Sequence, residues 1–358
     1  MRFTVVVFVV GSLWGCRDRN PVPVRGAPLP ELHGVDGSVS VGVDAAALRC
    51  AATFDTFALP HGASCPLQQL EIDSGRVEIA SFDAPLSGTE SRVWFSADRR
   101  FVVKTVNDIV PIVPQLTEQY RRAFTWIYSS LCKERAVSSA IGDLNGHAAR
   151  IHPIAPHQLS PSCEAATAVF DFAGRFPFAD LASMEPGEQA AAAAAAVALL
   201  RSVHATGLIH GDVHENNFVF ASRRDVGGSL RIIDFGRASR FVTAEGRHVA
   251  PGAVALNPFL NRALLSPWEL RGETASRRDD LFRLAETLLR VARLEGVPAL
   301  CTAELPIEGC VNAKLAPRSG GAIAEFYNEM AALDFTKRPD YEYWIARFTY
   351  VAKHGGYV

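Results

Sequence analysis

Leu208-Ile-His-Gly-Asp-Val-His-Glu-Asn-Asn-Phe-Val-Phe220, followed after a polar turn by Leu230-Arg-Ile-Ile-Asp-Phe-Gly236, decides the reading of this chain. Two short apolar runs read as strands. They bracket a loop that holds Asp212 and Asn217, and the second run delivers Asp234 into a turn opened by Phe235 and Gly236. A carboxylate able to orient an acceptor hydroxyl, an amide five residues later and a second carboxylate on an adjacent strand make a specific donor set. Phosphoryl transfer from a metal-bound nucleotide requires such a set, because its catalysis is mostly positioning and charge neutralisation.

Upstream of this segment the chain reads as strands. Gly75 to Phe82 alternates, and Ser91 to Phe95 and Phe101 to Val106 follow across the polar turn 96–100, which implies an antiparallel sheet. Helical spacing runs from Leu116 to Ile141, and Ala166 to Phe170 reads as a buried strand. From Glu185 the pattern changes. The alanine run 190–196 lies in a long helix that ends near Gly207, because alanine loses no side-chain entropy there. Later helices are expected at Arg278 to Leu294, Ala322 to Leu333 and Tyr341 to Val351. A strand-rich first half and a helix-rich second half predict an α+β protein of two lobes with a ligand cleft between them.

With these elements placed, the chain resembles the protein-kinase superfamily over approximately residues 80 to 350. His210-Gly211-Asp212 through Asn217 is similar to that family's catalytic loop, and Asp234-Phe235-Gly236 to its metal-binding triplet. The resemblance implies a bilobal fold with an antiparallel N-terminal sheet lobe and a larger helical C-terminal lobe. It implies Asp212 as catalytic base, Asn217 and Asp234 as ligands of magnesium or manganese, and ATP as phosphoryl donor. Lys104 would contact the nucleotide phosphates, paired by Glu134, with Glu118 as the competing carboxylate. Gly88 falls in the phosphate-covering loop and Val93 over adenine, while Asp171 to Ala173 would present backbone groups of the inter-lobe hinge to the base, after Phe170. Ser276-Arg-Arg-Asp-Asp-Leu281 and Lys337-Arg-Pro-Asp-Tyr341 resemble the casein kinase I branch. On that alignment Asp280 braces the catalytic loop. Ser266-Pro-Trp-Glu-Leu270 is similar to the family's Ala-Pro-Glu boundary, with Glu269 expected to pair with Arg338.

Departures from the pattern keep three functions open. Gly211 replaces an arginine, His214 replaces a lysine two residues after the base, and the glycine loop keeps only Gly88. The first reading is transfer to Ser or Thr hydroxyls of a protein substrate. The second is a pseudokinase that binds nucleotide or a protein target without turnover. The third, suggested by His210-Gly-Asp-Val-His214, is phosphorylation of a small molecule. Segment 237–270 favours a polypeptide, because small-molecule kinases generally lack it. Arg277, Arg278 and the arginines of 237–247 form either an anion site for an acidic substrate or a solvated basic face.

Thirty-six Lys and Arg against thirty-eight Asp and Glu argue against a nucleic-acid partner, and a monomer is expected. Met1 to Gly15 reads as a signal peptide, too short for a membrane span, followed by a Pro/Gly-rich leader over 16–44. The lobes would then occupy 45–172 and 173–358 of a protein in the secretory lumen or outside the cell, with no integral membrane association. In an oxidising compartment Cys301 is expected to pair with Cys310 and Cys50 with Cys65. Cys132 and Cys163 read either as a third bridge or as two thiols.

Overall fold

The structure is a computed structural model. It describes residues 69–79, 86–87, 92–105, 118–156, 158–159, 167–256, 260–292, 301 and 305–355. The expected signal peptide, the leader, Gly88, Cys50, Cys65 and Cys163 lie outside the described residues.

The first lobe opens with a hairpin, β1 (Gln69–Ile72) and β2 (Gly75–Glu78). The sequence reading held only the second of these strands and carried it to Phe82; a bridge at Ile79 is its last described pairing. Next come β3 (Leu86–Ser87), β4 (Arg92–Phe95), β5 (Phe101–Thr105), the helix α1 (Glu118–Ile141), β6 (Ile151–His152) and β7 (Thr167–Asp171). Strands β3, β4, β5, β7 and β6 form, in that order, an antiparallel sheet. Its register sorts the two faces. Trp94, Val103 and Val169 pair across one face and join Leu70, Ile72, Val77 and Phe101 in a closed apolar cluster. Val93, Lys104 and Ala168 therefore share the opposite face.

The second lobe continues through β8 (Phe176–Pro177) and α2 (Pro186–Ala205), then the short strands β9 (Leu208–Ile209), β10 (Phe218–Phe220), β11 (Leu230–Ile232) and β12 (Ser239–Arg240). It closes with α3 (Pro267–Leu270), α4 (Arg277–Val291), α5 (Ile307–Leu315), α6 (Gly321–Ala331) and α7 (Tyr341–His354). Pro186 at the first turn of α2 and the reciprocal Glu185–Glu188 capping box start that helix. Most of its alanines are buried and let α7 pack close; a Cβ at Gly187 would stand 3.2 Å from the Ala352 carbonyl oxygen. Phe218, Phe220, Leu230 and Ile232 enter the same core, so the strand that follows the loop 210–217 and the strand that leads to Asp234 are anchored by buried side chains. Each such side chain contributes about 1.5–3 kcal/mol.

Helix α5 is not among the helices expected from the sequence: Pro306 caps it and Gly309 lies inside it, two residues that by themselves favour a turn. The consequence is a correction: Cys301 and Cys310 are free buried thiols, not a disulfide. They meet in an apolar cluster with Leu265, Leu270 and Val311, where burial and the neighbouring Cys310 push the Cys301 thiol up to about 12. Cys132 is disulfide-bonded, and since both of those cysteines are free its partner lies outside the described residues.

Candidate active site

On the polar face of the sheet, Lys104 Nζ lies 2.7 Å from Glu134 Oε1 and 3.2 Å from Asp234 Oδ2. Three elements create that meeting. Helix α1 packs on the turn Phe235–Arg237, and a side chain at Gly236 would overlap Ser130 Oγ, so glycine there permits the close approach. Glu134 follows Ser130 by one helical turn and so projects from the same face toward β5. Asp234 has φ +68°, a left-handed conformation that Asp tolerates at moderate cost and that turns its carboxylate back to the lysine. Burial opposes the Lys104 charge, but the carboxylates of Asp234 and Glu134 outweigh it and raise the ammonium above the ordinary lysine range. The side chain of Glu118 is outside the described residues.

Beneath this triad, Asp212 and Asn217 stand side by side. Asn217 Nδ2 donates to the Asp212 carbonyl at 2.8 Å and lies 3.3 Å from Asp212 Oδ2. His214 Nδ1 accepts from the Asn216 N–H at 3.3 Å, and its Nε2 sits 3.4 Å from Asp212 Oδ2 and 3.1 Å from Asn217 Nδ2. The remaining carboxylate oxygen, Oδ1, accepts from Arg237 Nη1 at 2.7 Å. Burial works to raise the Asp212 carboxyl, yet the His214 hydrogen bond and the Arg237 charge together hold it well below the usual carboxylate range.

The loop is braced from below by Asp280, fully buried on α4. Its Oδ2 accepts from the His210 N–H at 2.6 Å and from His204 Nε2 at 2.9 Å, and its Oδ1 from the Gly211 N–H at 2.9 Å. Glu215 ties the far side of the loop to Arg290 at 2.5 Å. Glu269 closes the Ser266 capping box at 2.9 Å and pairs with Arg283, which also donates to the Gly211 carbonyl. This corrects the expected Glu269–Arg338 pair. Arg338 meets Glu342 on the surface, because its place on the approach to α7 keeps it solvent-exposed while Arg283 projects from the buried face of α4. Arg277 stacks on Phe241 and donates to the Thr336 carbonyl, and Arg278 lies over Trp268 and pairs with Glu273, so these two arginines form neither an open anion site nor a solvated face.

Sequence reasoning missed Arg283 and His204, and it offered Arg237 only among the arginines of 237–247, as an anion site or a solvated face, without its partner Asp212. The readable signal for Arg283 is a charged residue inside the apolar period of α4.

At the hinge, the Asp171 carboxylate accepts from His152 at 2.8 Å, and its N–H donates to the Arg150 carbonyl at 2.9 Å. Ala173 is buried; its carbonyl accepts from Arg231 Nη1 at 3.0 Å, and its N–H takes no partner among the described residues. Val93 is half-buried opposite Lys104, and Lys104 Nζ lies 5.6 Å above the Phe170 ring. The donors also suit a hard divalent cation. Asp234 is 41% exposed, and Asn217 spends its amide N–H groups on Asp212, which leaves its oxygen as an acceptor. A magnesium or manganese ion takes one or two such oxygens beside substrate phosphates and water.

The chain has the bilobal α+β kinase-like fold. It superposes on the structure of vaccinia related kinase 3 with a TM-score of 0.55 at 16% identity, over 84% of this chain and 93% of that one. In sequence it is 36% identical over 103 residues to Casein kinase 1-like protein HD16 of Oryza sativa subsp. japonica. That match covers 27% of this chain and 14% of the rice protein. No protein-family model matches the chain. Among the described residues no helix is long and apolar enough to cross a membrane.

Proposed function

We propose that the protein is a phosphotransferase that moves the γ-phosphoryl group of ATP to Ser or Thr hydroxyls of a protein substrate. The observation that carries this reading is Lys104 held between Glu134 and Asp234, with Asn217, the partner of Asp212, tied to the residue before Asp234 by the Ile233 N–H at 3.0 Å. Lys104 would hold the donor phosphates. Asn217 and Asp234 would hold the divalent ion, which supplies charge neutralisation on those phosphates. The acceptor oxygen forms its bond to the γ-phosphorus as the bond from that phosphorus to the bridging oxygen breaks. The electron pair leaves with ADP, and the hydroxyl proton passes to Asp212. Asp280 holds the His210 and Gly211 N–H groups and so fixes the backbone that carries the base. An exposed run at 250–255, in the segment after the metal-binding turn, supports a polypeptide acceptor over a small molecule.

One observation favours a second reading, a nucleotide-binding pseudokinase: both oxygens of Asp212 are already engaged, one by Arg237 and the other by His214. Purified protein incubated with ATP, metal and mixed protein substrates distinguishes the two. Incorporation that Asp212→Asn abolishes supports transfer. Equal incorporation by the variant refutes the role of Asp212, and nucleotide binding without incorporation by either protein supports the pseudokinase. The secretory destination rests on the N-terminal stretch alone. N-terminal sequencing of protein from a secreting host tests it, and an uncleaved Met1 would count against it.

A further inference from the structure

A transferring phosphoryl group spreads negative charge over its oxygens, and a fixed cation beside it lowers the barrier. The residue two places after the base, which would ordinarily supply that cation, is His214, and it is spent within the loop. Its Nδ1 accepts from Asn216 and its Nε2 faces Asp212 and Asn217. Lys104, held by Glu134 and Asp234, is assigned above to the donor phosphates, and Arg283 is committed to Glu269 and the Gly211 carbonyl. The guanidinium on Asp212 belongs instead to Arg237.

Resting on the phosphotransferase reading above, we propose that Arg237 is the catalytic cation that steadies the transferring phosphoryl group. Three features fit this role. Its Nη1 is 2.7 Å from Asp212 Oδ1, so it stands beside the atom that receives the acceptor proton. Its other donors make no hydrogen bond among the described residues, and its Nη2 lies 3.6 Å from Glu269 Oε1, a looser ion pair than the one to Asp212. Gly211 makes the room: at φ +74°, a Cβ there would stand 2.5 Å from the Arg237 carbonyl oxygen, so any side chain would displace the Arg237 backbone. The Arg237 charge also reaches half-buried Lys133 on α1, whose ammonium is lowered by burial and then by that charge.

The test uses the full chain and a mimic of the phosphoryl group in flight, ADP and magnesium with aluminium fluoride. In the wild type the fluoride is expected to tighten ADP at least ~10-fold, and Arg237→Gln to remove most of that gain while ADP alone binds within about threefold. Arg237→Lys is expected to restore part of it. With a turned-over substrate, Arg237→Gln should lower kcat roughly 10²-fold at nearly constant KM for ATP. Equal tightening in Arg237→Gln, or an equal or higher kcat, overturns the proposal. If Arg237→Gln loses ADP binding altogether, the Lys variant decides by the same criterion. A wild type that binds no ADP overturns the phosphotransferase reading and this inference with it, whereas full transfer by Asp212→Asn overturns only the role of the base.

Discussion

Asp280 carries more of the active-site geometry than any group that would touch substrate, and its removal should be costly. The fully buried carboxylate satisfies two backbone N–H groups and one imidazole at 2.6–2.9 Å. Asp280→Ala leaves three buried donors without an acceptor. Each costs about 1–3 kcal/mol, so the expected loss is about 3–6 kcal/mol after partial relaxation. That is a large part of the 5–15 kcal/mol that typically separates folded from unfolded chains. Asp280→Asn should fall lower, at about 2–4 kcal/mol, because the amide accepts from one side and opposes a donor on the other. Urea denaturation followed by fluorescence measures both. A double-mutant cycle with His204→Ala should show coupling of about 0.5–3 kcal/mol, since His204 also bonds Tyr341 at 2.6 Å and loses its orientation with the acid. An Asp280→Ala loss below about 1 kcal/mol would refute the assignment of these bonds as the support of the loop.

Lys104→Met should weaken nucleotide binding and leave Glu134 buried beside an uncompensated site, a cost of about 3–5 kcal/mol that thermal unfolding will show; an unchanged melting temperature would count against a tight pair. Arg283→Met is expected to destabilise by a similar ~3–5 kcal/mol while Arg338→Ala stays within about 0.5 kcal/mol, and the reverse order would restore the Glu269–Arg338 pairing. Burial raises the Asp280 carboxyl, but the His204 hydrogen bond and nearby charges bring it below its ordinary 3.8. Its folded-state value is therefore the lower one, so its contribution is complete above about pH 5 and fades as pH falls through 4 and below. Acid titration of stability should be flatter in Asp280→Asn than in the wild type over that range. Native protein should resist alkylation at Cys301 and Cys310 and react at both once unfolded; a Cys301–Cys310 peptide in a non-reducing map would overturn the reduced assignment.

Local signals in the sequence determined much of this protein. Alternation placed β4, β5 and β7 to within a residue or two, the alanine run placed α2, and Asp212, Asn217 and Asp234 stood out because strands on either side fix their spacing. Lys104, a lone lysine near the end of an apolar strand, was legible only through the family resemblance. Pairings across long separations in sequence were not legible. Glu269 has several arginines within reach of a guess, and only the packing of α3 on α4 selects Arg283 and leaves Arg338 in water. Helix α5 hid behind Pro306 and Gly309, residues that look like a turn until the apolar cluster around Cys310 and Val311 rewards a helix. Arg237 shows the limit most clearly. Its charge is plain in the sequence, but its partner depends on a left-handed Gly211, a turned Asp234 and a helix resting on Gly236, three backbone events that no local period encodes.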